Sequence, residues 1–585
     1  MPEDMQEFVE EIQASQTQNG RPAPEECRRR IVSNDYADFI YNTDVLYQDI
    51  EELFGPYCVQ IVNRQFVTMY AERSRMLPLS IGNFTYTAIP NCYTLLDTAA
   101  LDASGITQIQ NQPTLNLTGK GVIIGFIDTG IDYQNDIFRN TDGTSRILAI
   151  WDQTVQTGQM PEDINYGSVY RKEMIDEALQ RTDPYELVPS RDEDGHGTVM
   201  ASVAAGGRNP EQDFSGAAPE ADLVVVKLKE AKEYLRQFYF INPDAKVYQE
   251  NDIMFGIRFI GDIAAEYNRP VIFCIGLGTN QGDHGGSSPL GLFMTDTSGG
   301  RGRAMVVGTG NEGNQGHHFA GKLEQSLEYQ DAEIRVGAGE IGFTLELWGQ
   351  IPDIFSVSII SPTGESVPRT MNRIGYSDVY NMVFSGTTIY VDYRAASEIA
   401  GSQIIFMRFE NPIQGIWTIR VFGNNVSRGV YNMWLPVRGF TVTDVVFLRP
   451  EPDMTLTEPS AVTSAISVGT YNDSNESMYL DSGRGFARDN IVKPEFAAPG
   501  VDVYSGLPAN RFGDRTGSSV SAALTAGAVA LLLQWAAVDG NDVTITPIQL
   551  KNYLIRGATR KPNLTYPNQS WGYGALNLYG TFQNL

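Results

Sequence analysis

Four polar residues stand where apolar stretches of the chain begin or end, and their types suit acyl transfer. Asp128 ends the strand candidate VIIGFID, His196 lies in the motif DGHGT, Asn311 ends AMVVGTGN, and Ser519 opens a long apolar helix candidate. A hydroxyl, an imidazole and a carboxylate in contact make an activated nucleophile. An amide beside them can donate a hydrogen bond to the oxyanion that forms during attack on a carbonyl.

Each of these residues also has a simpler structural explanation when taken alone. Asp128 can cap the turn that follows its own strand, and Ser518 or Ser519 can cap the helix. Asn311 can belong to an ordinary turn. His196 can be a surface histidine, although it alone among the four histidines has glycine on both sides. Only the combination of the four motifs is specific.

The four motifs, in the order Asp, His, Asn, Ser, resemble those of the subtilisin family (subtilases), which carries DTG, HGT, GN and GTS-x-A blocks. The resemblance implies that Asp128 orients the histidine, His196 is the general base, Ser519 is the nucleophile and Asn311 supplies the oxyanion hole. GITQIQ, PEFAAPGVDVYS and WGYGALN extend the resemblance over residues 97–316 and 457–585.

Two departures from the family pattern stand beside the nucleophile. Ser518 replaces the usual Thr, and Ala523 replaces the usual Pro. The first change is conservative, and we expect little effect from either.

The same resemblance implies a substrate groove built from two glycine-rich segments. Extended substrate is expected to pair with one of them as an added strand, and the walls of both leave room for a side chain at P1, the residue before the cleaved bond. The P1 preference cannot be deduced, because the base of the pocket follows a long insertion. The expected binding residues are Gly276, Leu277, Gly278, Gly308, Thr309 and Gly310.

Strands and helices alternate from Gly121 onward, which indicates an α/β fold with a mostly parallel sheet covered on both faces. Short alternating strands separated by turns fill residues 318–456 and predict an inserted antiparallel β-sandwich of seven or eight strands. We therefore expect a subtilisin-like three-layer catalytic domain over 97–317 and 457–585, interrupted by this sandwich.

Residues 1–96 are expected to hold a polar tail and a propeptide. An α+β unit is predicted over 37–90, with a helix near 37–55 followed by strands. A subtilase propeptide acts as a folding template and inhibitor. The resemblance therefore implies autocleavage near Leu96–Ala100, with the propeptide as a partner that can stay bound.

The composition of the chain argues against several classes of partner. There are 70 acidic and 43 basic residues, and the net charge of −27 argues against nucleic acids and anionic membranes as partners. No signal peptide or membrane span is expected, and the four scattered cysteines predict free thiols in a reducing compartment. A cytoplasmic or spore-associated protein is the expected location, and the chemistry requires no metal or other cofactor.

A narrower resemblance is to the Csp germination proteases of spore-forming clostridia, whose inserted domain is a jelly roll. It rests on the pro-region without a signal, GTSRILAIWDQT, GLGTNQGDHGG and the insertion. It implies a protein substrate, a precursor of a spore cortex hydrolase.

Three alternatives remain open from the residues alone. The chain can be a catalytically silent scaffold or sensor, as some relatives that lack triad residues are. It can be a processing protease that acts outside germination. It can also be a binding protein that uses a platform of Trp348, Trp417 and Trp434 in the sandwich, although core tryptophans are commoner.

Overall fold

The computed structural model describes residues 22–43, 57–76, 79–96, 104–110, 117–370, 375–394, 401–488 and 490–585. Its first unit is a three-stranded antiparallel sheet in the order β1-β3-β2, covered by one helix. The elements are α1 (Pro24–Val32), β1 (Tyr36–Asn42), β2 (Cys58–Ile61) and β3 (Phe66–Glu72).

Two predictions for this N-terminal unit are wrong. The helix expected from residue 37 is a strand over Tyr36–Asn42, which pairs along its whole length with β3, so tertiary pairing overrides the local pattern. The rest of that expected helix, residues 44–56, lies outside the described residues. The expected polar tail contains a helix, because Cys27 and Ile31 lie four residues apart and both face the core.

The prediction that all four cysteines are free thiols is also wrong. Cys27 and Cys58 form a disulfide that joins α1 to β2, and the two cysteines are 31 positions apart in sequence. No short cysteine motif signals this pairing, since the packing of α1 on the sheet brings the two side chains together. Cys92 and Cys274 are free and buried.

The next stretch runs through the middle of the molecule and alternates strands with helices. Its elements are β4 (Cys92–Leu95), α2 (Ile106–Gln110), β5 (Ile123–Asp128), β6 (Ile147–Asp152), β7 (Ser168–Arg171), α3 (Lys172–Leu179), α4 (His196–Ala205), β8 (Asp222–Lys227), α5 (Glu233–Phe238), β9 (Tyr248–Gln249), α6 (Glu250–Tyr267), β10 (Val271–Ile275), β11 (Leu277–Gly278), α7 (Pro289–Ser298) and β12 (Arg303–Gly308).

A second set of eleven strands follows in two antiparallel sheets with a hydrophobic core of their own. The six-stranded sheet has the order β13-β22-β15-β20-β19-β18 and the five-stranded sheet β17-β16-β21-β14-β23. The strands are β13 (His318–Lys322), β14 (Tyr329–Val336), β15 (Gly342–Gln350), β16 (Ile354–Ile360), β17 (Ser366–Val367), β18 (Ser377–Asn381), β19 (Thr388–Arg394), β20 (Ser402–Glu410), β21 (Gly415–Asn425), β22 (Val430–Trp434) and β23 (Val445–Phe447).

The three tryptophans considered as a binding platform lie inside the molecule. Trp417 is fully buried in the core between the two sheets, and Trp348 and Trp434 are each 2% exposed. Trp348 and Trp434 belong to a cluster that also contains Phe39 of β1 and Phe238 of α5. These tryptophans therefore join the inserted sheets to the N-terminal unit and to the central domain rather than face a ligand.

The α/β pattern then resumes and completes the central sheet. The remaining elements are β24 (Ile466–Asn472), β25 (Ser477–Met478), β26 (Phe496–Pro499), β27 (Val503–Leu507), β28 (Arg511–Arg515), α8 (Ser518–Leu533), α9 (Pro547–Gly557) and α10 (Leu578–Gln583). The central sheet has the order β25-β24-β12-β10-β5-β8-β6-β7, with β26 also paired to β24. Seven of its nine strands are parallel.

Hydrophobic cores lie on both faces of this sheet. The helices α4 and α8 contribute to one core, and α6 and α7 contribute to the other. Strands such as β5 and β10 are buried along their whole length, which is why their sequences are continuous apolar runs rather than alternating ones. The predicted α/β class with a mostly parallel sheet is confirmed.

Helix α8 is apolar on every side because it is buried on every side. With the π-helical turn that follows it, this helix extends over Ser518–Val538 and is the one described helix long and apolar enough, by length and composition, to cross a membrane. Most of it, 89% of the apolar window, is buried inside the protein, as the core helix of a folded domain is.

The close contact between β5 and α6 gives a first test of this packing. A Cβ atom at Gly125 would lie 2.3 Å from Cγ2 of Ile260. We expect Gly125→Ala to destabilise the fold by about 1–3 kcal/mol through overpacking, measured as a lower thermal unfolding temperature. The matched control is Gly261→Ala on α6, where the nearest atom to a new Cβ is 3.9 Å away. An equal loss from both substitutions would contradict this account.

Candidate active site

Asp128 is the last residue of β5, at the carboxyl edge of the parallel sheet. This edge is where α/β folds place functional side chains. Its carboxylate is 1% exposed and accepts hydrogen bonds from Thr129 N–H at 2.7 Å and from His196 Nδ1 at 2.7 Å. The bond fixes the ring orientation and directs Nε2 away from the sheet.

His196 is the first residue of α4, and glycines allow its close packing. Gly195 precedes it with φ +93°, a left-handed conformation that favours glycine. A Cβ at Gly197 would lie 2.1 Å from the Gly130 carbonyl oxygen. The two glycines of the DGHGT motif therefore let the start of α4 approach the loop that follows Asp128.

Asp192 organises this junction and was missed in the sequence analysis. Its buried carboxylate accepts hydrogen bonds from Thr129 Oγ1 at 2.7 Å and from Gly195 N–H at 2.8 Å. It also accepts bonds from the backbone and the hydroxyl of Thr198. One carboxylate thus ties the loop after Asp128 to the first turn of the helix that carries His196. Its place four residues before the histidine, in a glycine-containing loop, is the only signal in the sequence.

Ser519 lies in the first turn of α8, and its Oγ is 3.0 Å from His196 Nε2. The structure therefore brings three of the four predicted catalytic residues into one hydrogen-bonded row. Gly276 makes room for it, because a Cβ there would lie 3.1 Å from both Ser519 Cβ and His196 Cε1.

Asn311, the fourth residue, lies beside the start of α8. Its Oδ1 accepts a hydrogen bond from Ser518 N–H at 3.3 Å, which leaves its NH₂ group as the free donor of the amide. The segment before Asn311 packs closely on its neighbours. A Cβ atom at Gly308 would clash with Ser518 of α8, and a Cβ atom at Gly310 would clash with the Thr457 side chain.

Glu312, next to Asn311, connects this loop to the inserted sheets. Its buried carboxylate accepts hydrogen bonds from His317 Nδ1 at 2.6 Å, Asn280 Nδ2 at 2.9 Å and Arg438 N–H at 3.0 Å. Burial alone would raise the pKa of Glu312, but His317 and these donors hold it below its ordinary value. Arg438 follows β22, so the inserted sheets brace the Asn311 loop directly.

The groove beside these residues is occupied by the chain itself. Strand β4 lies between β11 and β9 as the middle strand of a small antiparallel sheet. The predicted binding segment pairs with it, since Leu95 is opposite Leu277, Thr94 is opposite Gly278, and Leu96 N–H donates to the Gly276 carbonyl at 2.9 Å. The Leu96 carbonyl oxygen accepts hydrogen bonds from Ser519 Oγ and His196 Nε2.

Thr457 borders the position of the Leu96 side chain, which is 2% exposed. A Cβ at Gly278 would lie 2.4 Å from Thr457 Oγ1 and 3.2 Å from Leu96 Cδ2. The Thr457 side chain therefore lies between the two glycine-rich walls and limits the depth of this pocket. It directly follows the inserted sheets, which is why the pocket base could not be identified from the sequence.

The electrostatics of His196 reflect a balance of two effects. Burial disfavours the charged ring, but Asp128, through its charge and its hydrogen bond, and the Leu96 carbonyl favour it and raise the pKa of His196 to about 9. With the groove occupied, the imidazolium is the favoured form at neutral pH, and it can donate from both nitrogens. Among the described residues, no group of three or more His, Cys, Asp or Glu side chains is arranged to hold a metal ion.

Comparisons with known proteins agree with this arrangement. A family model described as the subtilase family matches residues 119–338 and 378–574. The solved structure of the Clostridium perfringens CspB protease is similar at 32% sequence identity with a TM-score of 0.73, covering 82% of this chain and 97% of that one.

Curated relatives match over shorter parts of their length. Subtilisin-like protease SBT2.2 of Arabidopsis thaliana is 33% identical over 125 residues, 19% of this chain. The C5a peptidase of Streptococcus pyogenes serotype M1 is 21% identical over 455 residues, 71% of this chain. The chain spans 15% and 34% of the length of these two relatives.

The effect of Asp128 on the pKa of His196 can be tested by titration. The pKa of His196 in the folded protein lies above the ordinary histidine value of about 6.5. Protonation of His196 therefore stabilises the fold fully below pH 6.5, and this contribution to the free energy of unfolding is lost as the pH rises through about 9. In Asp128→Asn we expect the His196 pKa to fall below 6.5, since burial then dominates. The measurement is NMR titration of the ring protons of the full chain. His284, whose pKa burial lowers to about 4, is the internal control, and an unchanged His196 pKa would refute the assigned cause.

Proposed function

The chain belongs to the subtilase family, and on that basis we propose that it is an active serine endopeptidase that cuts itself after Leu96 and then cuts a protein substrate. One observation carries the proposal. The Leu96 carbonyl group lies against both Ser519 Oγ and His196 Nε2, at the end of a strand paired with the groove. These contacts place the Leu96 carbonyl beside the nucleophile and its base, and attack then requires Ser519 Oγ to face the carbonyl carbon while the oxygen turns toward Asn311.

The proposed reaction uses the residues in the roles that the family resemblance implies. The reactive molecules are those in which His196 is neutral, a minor fraction below its pKa of about 9. In them Ser519 Oγ attacks the carbonyl carbon of Leu96 while His196 takes the hydroxyl proton, and Asp128 stabilises the imidazolium that forms. The NH₂ group of Asn311 and the Ser519 N–H stabilise the oxyanion, each such donor contributing about 3–4 kcal/mol in comparable sites. His196 then protonates the leaving amine of residue 97, and water releases the acyl group.

We further propose that residues 22–96 act as a propeptide that stays bound after the cut. Its support is a buried ion pair between the two units. Lys232 is 4% exposed, and its Nζ contacts the Asp38 carboxylate of β1. Asp38 also accepts hydrogen bonds from Gln249 Nε2 at 2.7 Å and Asn251 Nδ2 at 3.1 Å. Separating the units would let water solvate these polar groups, but it would also expose the apolar cluster that Phe39 of β1 shares with Phe238 of α5, and the exposure of that surface is the cost that keeps the units together.

The substrate is proposed from the similarity to CspB. We propose a precursor of a spore cortex hydrolase, cut during germination, and a cytoplasmic or spore-associated location. The intact row of Asp128, His196 and Ser519 favours an active enzyme over a silent scaffold. A processing role outside germination is the alternative that substrate profiling would reveal.

Self-processing is tested by N-terminal sequencing of the purified full chain and of Ser519→Ala. We expect the wild type to yield a fragment that begins at residue 97 and Ser519→Ala to stay intact, because only the variant lacks the nucleophile. Ser518→Ala is the matched control, since this neighbouring hydroxyl is buried and makes no hydrogen bond. Cleavage of Ser519→Ala at the same bond, or an intact wild type that also fails to react with a fluorophosphonate probe, would refute the proposal.

The assignment of Leu96 to the P1 position is tested by placing a charge there. Leu96→Lys would bury an unpaired ammonium between Gly278 and Thr457, so we expect cleavage after residue 96 to slow by at least about 100-fold. Leu95 is half-buried on the opposite face of the strand, and Leu95→Lys is expected to be cut within about tenfold of the wild-type rate. A time course on gels measures both, and equal slowing would argue against a P1 role for Leu96.

A further inference from the structure

The strand in the groove is held beyond the part that pairs with β11. Asn91 lies five residues before Leu96, and both of its main-chain polar atoms form hydrogen bonds with one residue. Its carbonyl oxygen accepts a hydrogen bond from Glu250 N–H at 2.9 Å, and its N–H donates to Glu250 Oε2 at 3.1 Å. The next residue, Cys92, donates its N–H to Gln281 Oε1 at 2.8 Å.

Glu250 is positioned by the central domain itself. It is the first residue of α6 and has no exposed surface. Its other carboxylate oxygen, Oε1, accepts a hydrogen bond from Leu290 N–H in the first turn of α7 at 3.0 Å. One oxygen is thus held by α7, and the second is directed toward the groove.

Gln281 lies in the loop that follows β11 and is 3% exposed. Its backbone N–H donates to Thr279 Oγ1 at 3.2 Å, which ties this loop to the end of the binding strand. The two residues therefore extend the groove in line with the Gly276–Gly278 segment.

We propose that Glu250 and Gln281 form a subsite that binds the main chain of the fifth and sixth residues before the cleaved bond, P5 and P6. The proposal rests on the proposed cut after Leu96, which makes Cys92 the P5 residue and Asn91 the P6 residue. Its ligand is an extended polypeptide with at least six residues before the cut, of which the chain's own segment is the resident example.

The chemistry of the contacts defines what this subsite accepts. All three hydrogen bonds go to main-chain atoms, so they are available to most side chains. Proline lacks the N–H group and is therefore excluded at P5 and P6. Burial raises the pKa of Glu250 to about 7, so the P6 contact becomes a charge-assisted hydrogen bond, stronger than a neutral one, as the pH rises above that value.

The contacts are tested first by hydrogen exchange, which does not depend on catalysis. In the intact full chain carrying Ser519→Ala, we expect Glu250→Gln to speed exchange of the Asn91 amide by about tenfold or more, because an amide can accept at only one of the two positions. Gln281→Ala should do the same for the Cys92 amide. The Leu96 amide, bound to Gly276, should not change. Glu266→Gln, an exposed carboxylate on the same helix, is the matched control.

The use of the subsite by substrates is tested with fluorogenic peptides and the processed wild-type protein. The measured quantity is the ratio of kcat/KM between two peptides, because bound residues 22–96 compete with both peptides and lower both values by the same factor. A peptide with the sequence of residues 91–96, Cys92 being replaced by serine, should have a kcat/KM at least about tenfold above a peptide with residues 93–96 alone. Methylation of the backbone nitrogen of its first residue should remove most of that gain. Glu250→Gln should lower the ratio of kcat/KM for the longer peptide to kcat/KM for the shorter one.

The outcomes separate this inference from the proposed function. Equal cleavage of the long and short peptides, or unchanged exchange in Glu250→Gln, would overturn the subsite. If the wild type cleaves no peptide and is not cut after Leu96, the proposed protease activity fails, and the exchange result alone decides whether Glu250 and Gln281 bind the main chain.

Discussion

The hydrogen bond between the Asp128 carboxylate and His196 Nδ1 is the interaction around which the surrounding loops are built. It requires the end of a central strand and the start of a helix to meet in a buried place, although 67 residues separate the two in sequence. Glycines at 195 and 197 permit that approach, and the Asp192 carboxylate holds it by joining both backbones. Asp192 binds Thr129, Gly195 and Thr198, so its effect on the site passes through the position of the His196 ring.

The inserted sheets have a second structural effect on the same site. Residues 318–456 separate Asn311 from Ser519 in sequence, yet Glu312 binds the backbone of Arg438 and so fixes the Asn311 loop against the insertion. Thr457, the first residue after the insertion, reaches the pocket beside Leu96. The insertion and the residue that follows it thus lie against both the Asn311 loop and the Leu96 side chain.

Local motifs predicted the part of the site that depends on local structure. Asp128, His196, Asn311 and Ser519 each stand in a short pattern in which neighbouring glycines and apolar residues are themselves informative. Thr457, Glu250 and Gln281 have no such pattern, because their importance comes from strands that approach from distant parts of the chain. Contacts between distant residues also explain two wrong predictions for the N-terminal unit. Residues Tyr36–Asn42 form the strand β1 because β3 pairs with them, and Cys27 reaches Cys58 because α1 packs on the sheet.

The position of Ser519 near the carboxyl end has a consequence for how each molecule is made. Synthesis proceeds from the amino end, and N-terminal units generally fold first. The ribosome therefore releases the N-terminal sheet, β4 and the inserted sheets before it translates α8. For the protease proposed above, the strand that fills the groove is thus made before the serine that would attack, and this order of translation would protect neighbouring molecules from newly made chains.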